Sequence, residues 1–262
     1  MTQDLAPGFD ATLLSRVEDA GLNASAPPQQ RWVDGWLLRY GPGKARRSRC
    51  VQAVAAGRLS NAERLALCEA VFAEAGLPLF VRITPFSQPP GLGEWLLGEG
   101  LHRIDDSRVM VTTTMPPVSA LPDGMRLVPA DAAYYAQVIA ELRGSPDAHR
   151  QGHAQRLASS PVPYCGWLLQ RREDGQILAC AQTAAEADMV GLYDVFTAPV
   201  ARGQGLAGWL CARLLAQAAA AGARVAYLQV DAANAPALQT YRRLGFVDAF
   251  GYHYMARDRQ AK

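Results

Sequence analysis

Apolar and polar positions alternate along the chain with two periods, one of three or four residues and one of about two. The longer period is typical of amphipathic helices. The shorter period, and short apolar runs between turn residues, are typical of strands. In the second half of the chain the two kinds of segment interleave, which predicts an α/β fold. The predicted strands there are residues 125–128, 164–170, 177–184, 189–197, 225–230 and 247–255, and the predicted helices are residues 130–143, part of 146–159, 203–221 and 235–244.

The first half of the chain carries similar elements. Ser60 precedes an amphipathic segment, and Glu63 stands three residues after Ser60. This spacing is the arrangement of a capping box at a helix N-terminus. Gly76 predicts the end of that helix. The other predicted elements are a helix near residues 13–20, a strand at 36–40, an extended segment near 48–54 that would complete a hairpin, and a strand at 79–83.

A proline-rich stretch separates the two halves. Residues 114–124 hold three prolines and a glycine between two apolar patterns, which is the composition of a linker. The length of 262 residues allows one large domain or two small ones. We therefore predict two domains, residues 1–118 and residues 125–262.

Composition and charge narrow the class of protein. The sequence is 50% hydrophobic and 19% charged, which excludes a disordered or collagen-like chain. Its net charge is only +2, without the basic excess that a nucleic-acid-binding protein normally shows. No apolar run reaches membrane-spanning length, and the first residues do not resemble a signal peptide. We expect a soluble, cytoplasmic protein that binds neither nucleic acid nor membrane.

Cysteine and histidine spacing argues against a metal site or a disulfide framework. The five cysteines contain no C-x-x-C pair, so we expect small buried thiols in a reducing compartment. His149 and His153 stand four residues apart, on one face if the segment is helical, but the H-E-x-x-H pattern is absent. We therefore predict no metal, and we expect this histidine pair to be exposed or to line an acceptor pocket.

The most informative segment is a glycine-rich turn between a strand and a helix. At a helix start the first amides have no internal partner and the helix dipole is positive, so such a turn can hold an anion. Its two glycines would let a phosphate approach the backbone. Taken alone, a tight turn without any ligand is the better interpretation. The P-loop and dinucleotide-binding patterns do not fit it. The turn and the start of the helix comprise Arg202, Gly203, Gln204, Gly205, Leu206, Ala207 and Gly208.

The sequence downstream of the turn changes this interpretation. Residues 228–246 contain Asn234, Tyr241 seven residues later, and a closing Leu-Gly-Phe. Together with the Arg-x-x-Gly-x-Ala turn, this pattern resembles the GNAT superfamily of acyl-CoA-dependent N-acyltransferases. The resemblance covers roughly residues 125–257, and the joint pattern is specific. It implies an α/β fold in which a mixed, twisted sheet is flanked by helices on both faces. It also implies acetyl-CoA as co-substrate and a primary amine as acceptor.

The resemblance implies a role for each matching position. The amides of residues 203–208, with Arg202 at the head of the loop, would bind the CoA pyrophosphate. Main-chain groups of Phe196 and Thr197 would pair with the pantetheine arm. Asn234 would contact the cofactor, and it is equally suited to cap a helix. Tyr241 would protonate the departing thiolate, since a phenol has a higher pKa than a thiol, whereas its alternative role is aromatic packing.

One position departs from the family pattern. Many members carry a glutamate that acts as general base where this chain has Gln229, and an amide cannot take a proton. Asp194 is the first candidate for a replacement base, followed by Asp188 and Glu186. Taken singly, each is better interpreted as a solvated carboxylate at a strand end or turn, and ordered water is the alternative proton acceptor. The missing glutamate also leaves open a second function, a non-catalytic module that senses acyl-CoA. The sequence does not identify the acceptor, which could be a small molecule or a peptide.

The first half echoes the end of the second half. Residues 75–83 parallel residues 221–229, and residues 95–101 parallel residues 241–246. This similarity predicts a tandem pair of GNAT-like lobes. The first copy is degenerate, because it lacks the Arg-x-x-Gly-x-Ala turn and Leu96 stands in the tyrosine's place. We expect it to pack against the active copy and to help shape the acceptor site.

The first copy also carries a cluster of basic residues on its predicted hairpin. A solvated face is the default interpretation of such a cluster. Recruitment of an acidic acceptor, or of the CoA phosphates, is the alternative. The cluster consists of Lys44, Arg46, Arg47 and Arg49.

Overall fold

The fold is built on one continuous mixed sheet of eleven strands. The computed structural model describes residues 8–41, 45–117 and 120–257. The order of strands across the sheet is β1-β2-β3-β4-β11-β5-β10-β9-β8-β7-β6. The strands are β1 (Gln30–Val33), β2 (Trp36–Arg39), β3 (Val51–Gln52), β4 (Phe80–Ile83), β5 (His102–Thr112), β6 (Met125–Ala130), β7 (Tyr164–Arg171), β8 (Ile177–Glu186), β9 (Met189–Thr197), β10 (Val225–Asp231) and β11 (Val247–Ala256).

Helices cover both faces of this sheet. In β9 and β10, Leu192 and Leu228 pack with α6 and α7, whereas Tyr193 and Tyr227 pack with α1 on the opposite face. The predicted α/β architecture with helices on both faces is therefore confirmed, and the strands of the two lobes join in a single sheet. The helices are α1 (Ala11–Ala24), α2 (Asn61–Glu74), α3 (Leu92–Gly98), α4 (Ala132–Arg143), α5 (Asp147–Ala158), α6 (Leu206–Ala220) and α7 (Ala235–Arg243).

The predicted hairpin between residues 36–40 and 48–54 is confirmed as β2 and β3, and β1 adds a strand that was not predicted. Strand β2 pairs with β1 as well as with β3, because Asp34 and Gly35 both have positive φ and close a two-residue turn between β1 and β2. The Asp-Gly pair was the available signal for this turn. The capping box at α2 is confirmed, since the Ser60 side chain accepts from the Glu63 amide and the Glu63 carboxylate accepts from the Ser60 amide.

The two halves of the chain exchange strands at the centre of the sheet. Strand β5 from the first half lies between β10 and β11, both from the second half, and it is antiparallel to each. Strand β11 in turn pairs with β4. The order helix, strand, helix, strand occurs as α2-β4-α3-β5 and again as α6-β10-α7-β11. The domain boundary at residues 118 and 125 stays a prediction, but hydrogen bonds of the sheet cross it.

This exchange predicts that the second half does not fold alone. Removal of β5 would take Val109, Met110 and Val111 out of the cores on both faces, a loss of roughly 5–9 kcal/mol at about 1.5–3 kcal/mol for each side chain. That loss is comparable to the stability of a typical domain. We expect residues 120–262 to show no cooperative thermal unfolding by circular dichroism.

Co-expression of residues 1–117 as a separate chain is the matched control for this truncation. It should restore a soluble complex with cooperative unfolding, because the exchanged strands need no covalent link. A cooperative melt of residues 120–262 by themselves would contradict the proposed dependence on β5.

Candidate functional site

The site forms where two neighbouring strands separate. Strands β9 and β10 run parallel and pair only as far as Leu192 and Leu228. On its other edge β9 continues to pair with β8, but the register shifts between Tyr193 and Phe196. This shift is a β-bulge, in which Asp194 adopts a left-handed conformation with φ 48°. The bulge turns β9 away from β10 and leaves one edge of β9 unpaired with that strand.

Asp194 is held at the bulge by three contacts. Its carboxylate lies 3.1 Å from Nη1 of Arg143 and 3.2 Å from Nε2 of His153, and its carbonyl accepts from the Tyr135 hydroxyl at 3.0 Å. Burial alone would raise the pKa of Asp194, but the contact with His153 and the charge of Arg143 outweigh it and hold the pKa well below its usual range. A carboxylate whose pKa is lowered in this way is a weak base. The role of Asp194 as general base stays a prediction.

The other two candidate bases lie at the opposite end of β9. Asp188 pairs with Arg16, and Glu186 accepts a hydrogen bond from the Asn23 amide at 2.9 Å. Neither residue lines the cavity described below. The structure therefore groups only Asp194, of the three, with the rest of the site.

The glycine-rich turn presents bare amides to solvent. Gly203 and Gly205 have φ angles of 77° and 73°, and a Cβ at either position would meet nothing within 4 Å. A short turn of 3-10 helix, Pro199–Ala201, precedes them, and α6 begins at Leu206 rather than at residue 203. Within the part of the chain that the structure describes, the N–H groups of residues 203–208 donate to no protein acceptor. The turn is thus open to an anion.

The corresponding helix of the first half is closed to an anion. At the start of α2, the carboxylate of Glu63 accepts from the amide of Ser60 at 2.9 Å and from its hydroxyl at 2.7 Å. These hydrogen bonds lower the pKa of Glu63. A carboxylate of the chain thus occupies this helix terminus, whereas the terminus of α6 is free.

The residues leading into the turn lie along the open edge of β9. Phe196 and Thr197 pair with Cys180 and Ala179 of β8, while β10 has already separated. The guanidinium groups of two arginines lie over the Phe196 ring, that of Arg143 at 5.5 Å and that of Arg202 at 5.9 Å from its centroid. The edge of β9 and two cations therefore lead up to the turn.

Tyr241 and Asn234 lie on and before α7, outside the lining of the cavity. The Tyr241 ring packs in the core beside α6, 6.1 Å from the Phe246 ring, and burial raises its pKa. A phenol with a raised pKa is protonated at neutral pH, as an acid must be. The Asn234 side chain accepts from the Ala237 amide at 3.2 Å, so it caps α7. The catalytic role of Tyr241 and the cofactor contact of Asn234 stay predictions.

A cavity of about 610 Å³ opens along β9 between α4, α5 and the N-terminal half. His149 and His153 both line it, and its role as the acceptor pocket stays a prediction. Among the described residues, Asp194 is the one acid that lines the cavity, whereas several cations face it. The lining arginines are Arg47, Arg143, Arg150, Arg156 and Arg202.

Arg47 is the residue whose importance the sequence did not reveal. It comes from the first half of the chain, and its guanidinium donates to the amide oxygen of Gln229 and lies 5.8 Å from the Tyr193 ring. Gln229 also accepts from the Tyr252 hydroxyl at 3.0 Å. The default interpretation of the basic cluster as a solvated face is therefore wrong for Arg47, because it faces the cavity of the second half.

Two other members of the basic cluster, Arg46 and Arg49, do not line the cavity. Arg46 pairs with Asp105, and both Arg46 and Arg49 lie over the ring of Phe80. Lys44 lies outside the described residues. The cluster thus divides into one residue that reaches the cavity and two that pack on the first half.

The other sequence expectations concern cysteines, metals and membranes. All five cysteines are free, and four are buried, whereas Cys165 is exposed and departs from the expectation of buried thiols. Within residues 8–41, 45–117 and 120–257, no three His, Cys, Asp or Glu side chains lie close enough to hold a metal ion. In the same ranges, no helix is long and apolar enough to cross a membrane.

The fold resembles that of solved GCN5-related N-acetyltransferases. One from Kribbella flavida superposes with a TM-score of 0.66 at 18% identity, over 93% of this chain and 95% of that chain. One from Sphaerobacter thermophilus gives 0.58 at 21% identity, over 74% and 66%. A tandem GNAT protein from the clavulanic acid biosynthesis pathway gives 0.61 at 15% identity, over 74% and 68%. At these identities the likeness establishes the fold.

The family follows from the sequence itself. Residues 14–255 match the family model described as "Probable histone acetyltransferase Rv0428c C-terminal", so the chain belongs to this family. No curated protein matches the sequence. The resemblance to the GNAT superfamily is confirmed, and family and fold together support an acetyltransferase activity.

The bulge predicts distinct effects of two substitutions at Asp194. Asp194→Asn should lower the free energy of unfolding by about 1 kcal/mol, because a charged hydrogen bond at a partly exposed site is lost. Asp194→Ala should cost roughly 1–2 kcal/mol more, because alanine lacks the local hydrogen bonds that let asparagine adopt positive φ. Urea denaturation measures both values.

The pH dependence of the Asn variant supplies the control. The folded-state pKa of Asp194 is depressed, so its stabilisation is fully present above about pH 4 and is lost as pH falls further. The difference between wild type and Asp194→Asn should therefore shrink in acid. Equal losses for the Asn and Ala variants would contradict a strained bulge.

Proposed function

We propose that this protein is an N-acetyltransferase that moves the acetyl group of acetyl-CoA to a primary amine by direct attack. The observation that carries the proposal is the open turn at residues 203–208, with free amides and positive-φ glycines at the start of a long helix. The site lies beside a strand whose edge is unpaired, as an inserted pantetheine arm would require.

The residues at the site suit the donor. The amides of residues 203–208 would hold the pyrophosphate, and the Arg202 and Arg143 guanidinium groups above Phe196 would add positive charge along the groove. Main-chain groups of Phe196 and Thr197 would pair with the pantetheine amides. Asn234 would contact the donor while it caps α7. Acetyl-CoA would supply the thioester, and the chain would bind and orient it.

The reaction requires two proton movements. The acceptor nitrogen forms a bond to the acyl carbon, the carbon–sulfur bond breaks, the nitrogen loses a proton, and the sulfur leaves as a thiol. Tyr241 would donate the proton to sulfur. Gln229 cannot act as base, and the ionised Asp194 is better suited to orient His153, which lines the same cavity. His153 or an ordered water would then accept the proton from the amine.

The acceptor is an amine on a small molecule or a peptide. Its binding place is the cavity between α4, α5 and the first half, which lies along β9. The near-neutral net charge favours neither nucleic acid nor an anionic membrane as a partner. We propose a cytoplasmic location. A non-catalytic acyl-CoA sensor is the second candidate, and the glutamine at position 229 favours it.

A charge placed in the turn tests donor binding. Gly203→Asp should weaken CoA binding at least about tenfold relative to Gly203→Asn, because the aspartate would repel the phosphates. The two side chains have nearly the same shape, and both tolerate positive φ. Isothermal titration calorimetry with CoA measures the affinity. Equal affinities of the two variants, or no CoA uptake by the wild type, would overturn the proposed donor site.

Removal of the Tyr241 hydroxyl tests whether the protein is an enzyme or a non-catalytic sensor. Tyr241→Phe should reduce thiol release about a hundredfold or more, the usual contribution of a positioned acid, and should leave CoA affinity unchanged. A thiol-release assay over a panel of amines measures turnover, and calorimetry measures binding. Unchanged turnover would remove Tyr241 from its role, and CoA binding without turnover for any amine would favour the sensor.

A further inference from the structure

The cavity carries more positive charge than the donor needs. Of its lining arginines, Arg143 pairs with Asp194 and Arg150 pairs with Asp147 at 3.2 Å. The remaining three have no carboxylate within 4.0 Å among the residues that the structure describes. They are Arg47, Arg156 and Arg202.

These three cations lie over aromatic rings in two groups. Arg202 lies over Phe196, beside the glycine turn and the expected phosphates. Arg47 lies over Tyr193, which precedes Phe196 on β9 and is separated from it by the bulge at Asp194. Arg156 lies over Tyr164, and the rings of Tyr164 and Tyr193 are 5.3 Å apart. Arg47 and Arg156 therefore share one aromatic pair before the bulge, whereas Arg202 lies after it.

Among the described residues, the hydrogen-bond acceptors of these two guanidinium groups are neutral. Arg156 donates to the carbonyl of Ala24 at 3.3 Å and to the Tyr164 hydroxyl at 3.4 Å, and its charge also acts on Asp194 without a direct contact. Arg47 donates to the amide oxygen of Gln229. Guanidinium groups that line a cavity without a carboxylate partner in direct contact are suited to bind a carboxylate through paired N–H donors.

From this arrangement, and resting on the proposed function, we propose that the acceptor is a small amino acid or a relative of one, whose carboxylate binds Arg47 and Arg156. The acceptor's amine would then meet the thioester near Tyr193, where the donor arm that enters from the turn would end. Its carboxylate stays unchanged in the reaction. The first half of the chain thereby supplies a specificity-determining residue to the site of the second half.

This arrangement explains why position 229 carries a glutamine and not a glutamate. A glutamate at this position would pair with Arg47 and cancel the charge that the acceptor needs. The neutral amide instead orients the guanidinium and leaves its charge available. The departure from the family pattern and the unpaired arginine are thus two parts of one binding site.

Matched acceptors test the proposal directly. Each standard L-amino acid is compared with its α-carboxamide in the thiol-release assay with acetyl-CoA, and kcat/KM is measured for both. The wild type should prefer the acid of the best pair by about tenfold or more, the discrimination expected from a charged hydrogen bond. Equal or greater rates with the carboxamide would overturn the proposal, as would acetylation restricted to amines without a carboxylate.

Three variants assign the preference to Arg47. Arg47→Gln and Gln229→Glu should each reduce the acid-to-amide ratio towards one while CoA affinity stays unchanged, and Arg47→Lys should retain part of it. Arg46→Gln is the matched control, because Arg46 is adjacent but pairs with Asp105 outside the cavity. Thermal melts check that each variant is folded. A ratio that survives in both Arg47→Gln and Gln229→Glu would overturn the assignment.

The outcomes also separate this proposal from the proposed function. If CoA binds and amines are acetylated without preference for acids, the acetyltransferase stands and the carboxylate site falls. If no amine of any kind is acetylated, transfer itself fails and the carboxylate site falls with it. If Arg47→Gln weakens CoA binding about as much as acetylation, Arg47 serves the donor phosphates instead.

Discussion

The separation of β9 from β10 beyond Leu192 and Leu228 is the constraint on which the site depends. Parallel strands that remained paired would leave no edge for a substrate arm and no cavity under α4 and α5. The separation is maintained by the bulge at Asp194, whose unfavourable backbone conformation is balanced by contacts with Arg143, His153 and Tyr135. The carboxylate that we expected to act as a base thus also holds the bulge, and its contacts with Arg143 and His153 lower its pKa. Its role as base stays a prediction.

Local signals account for most of what could be predicted from the sequence. The glycine turn, the capping box at Ser60 and the helix and strand succession of the second half each depend on residues that are near neighbours in the chain. The position of β5 does not depend on such local signals. Its insertion between β10 and β11 satisfies the edges of strands more than a hundred residues away, and nothing within residues 102–112 specifies which edges these are. The parallel between the two halves was the one signal of a related topology.

The polar part of the site was harder to predict for the same reason. Arg47 stands in a run of basic residues that looks uniform in sequence. In the fold, however, Arg46 pairs with Asp105, and Arg47 donates a hydrogen bond to Gln229. A difference of one position turns a side chain by about 120° on a 3-10 turn, and the partner of Arg47 lies in the other half. Gln229 itself was visible only as a departure from the family pattern. Its hydrogen bonds to Arg47 and Tyr252 explain the departure as a contact between halves.

The two halves share the order helix, strand, helix, strand but differ in charge at the first of these helices. Each of these two helices starts beside the sheet, and a helix N-terminus attracts an anion. In the first half the Glu63 carboxylate lies at that terminus, so a charge of the chain itself takes the place of an anion there. In the second half the terminus of α6 carries glycines, and its first amides donate to no acceptor among the described residues. The two halves are nevertheless joined, because β5 completes the sheet of the second half and Arg47 lines its cavity. The first half thus contributes a central strand and one of the cations of the cavity, and the second half contributes the open turn.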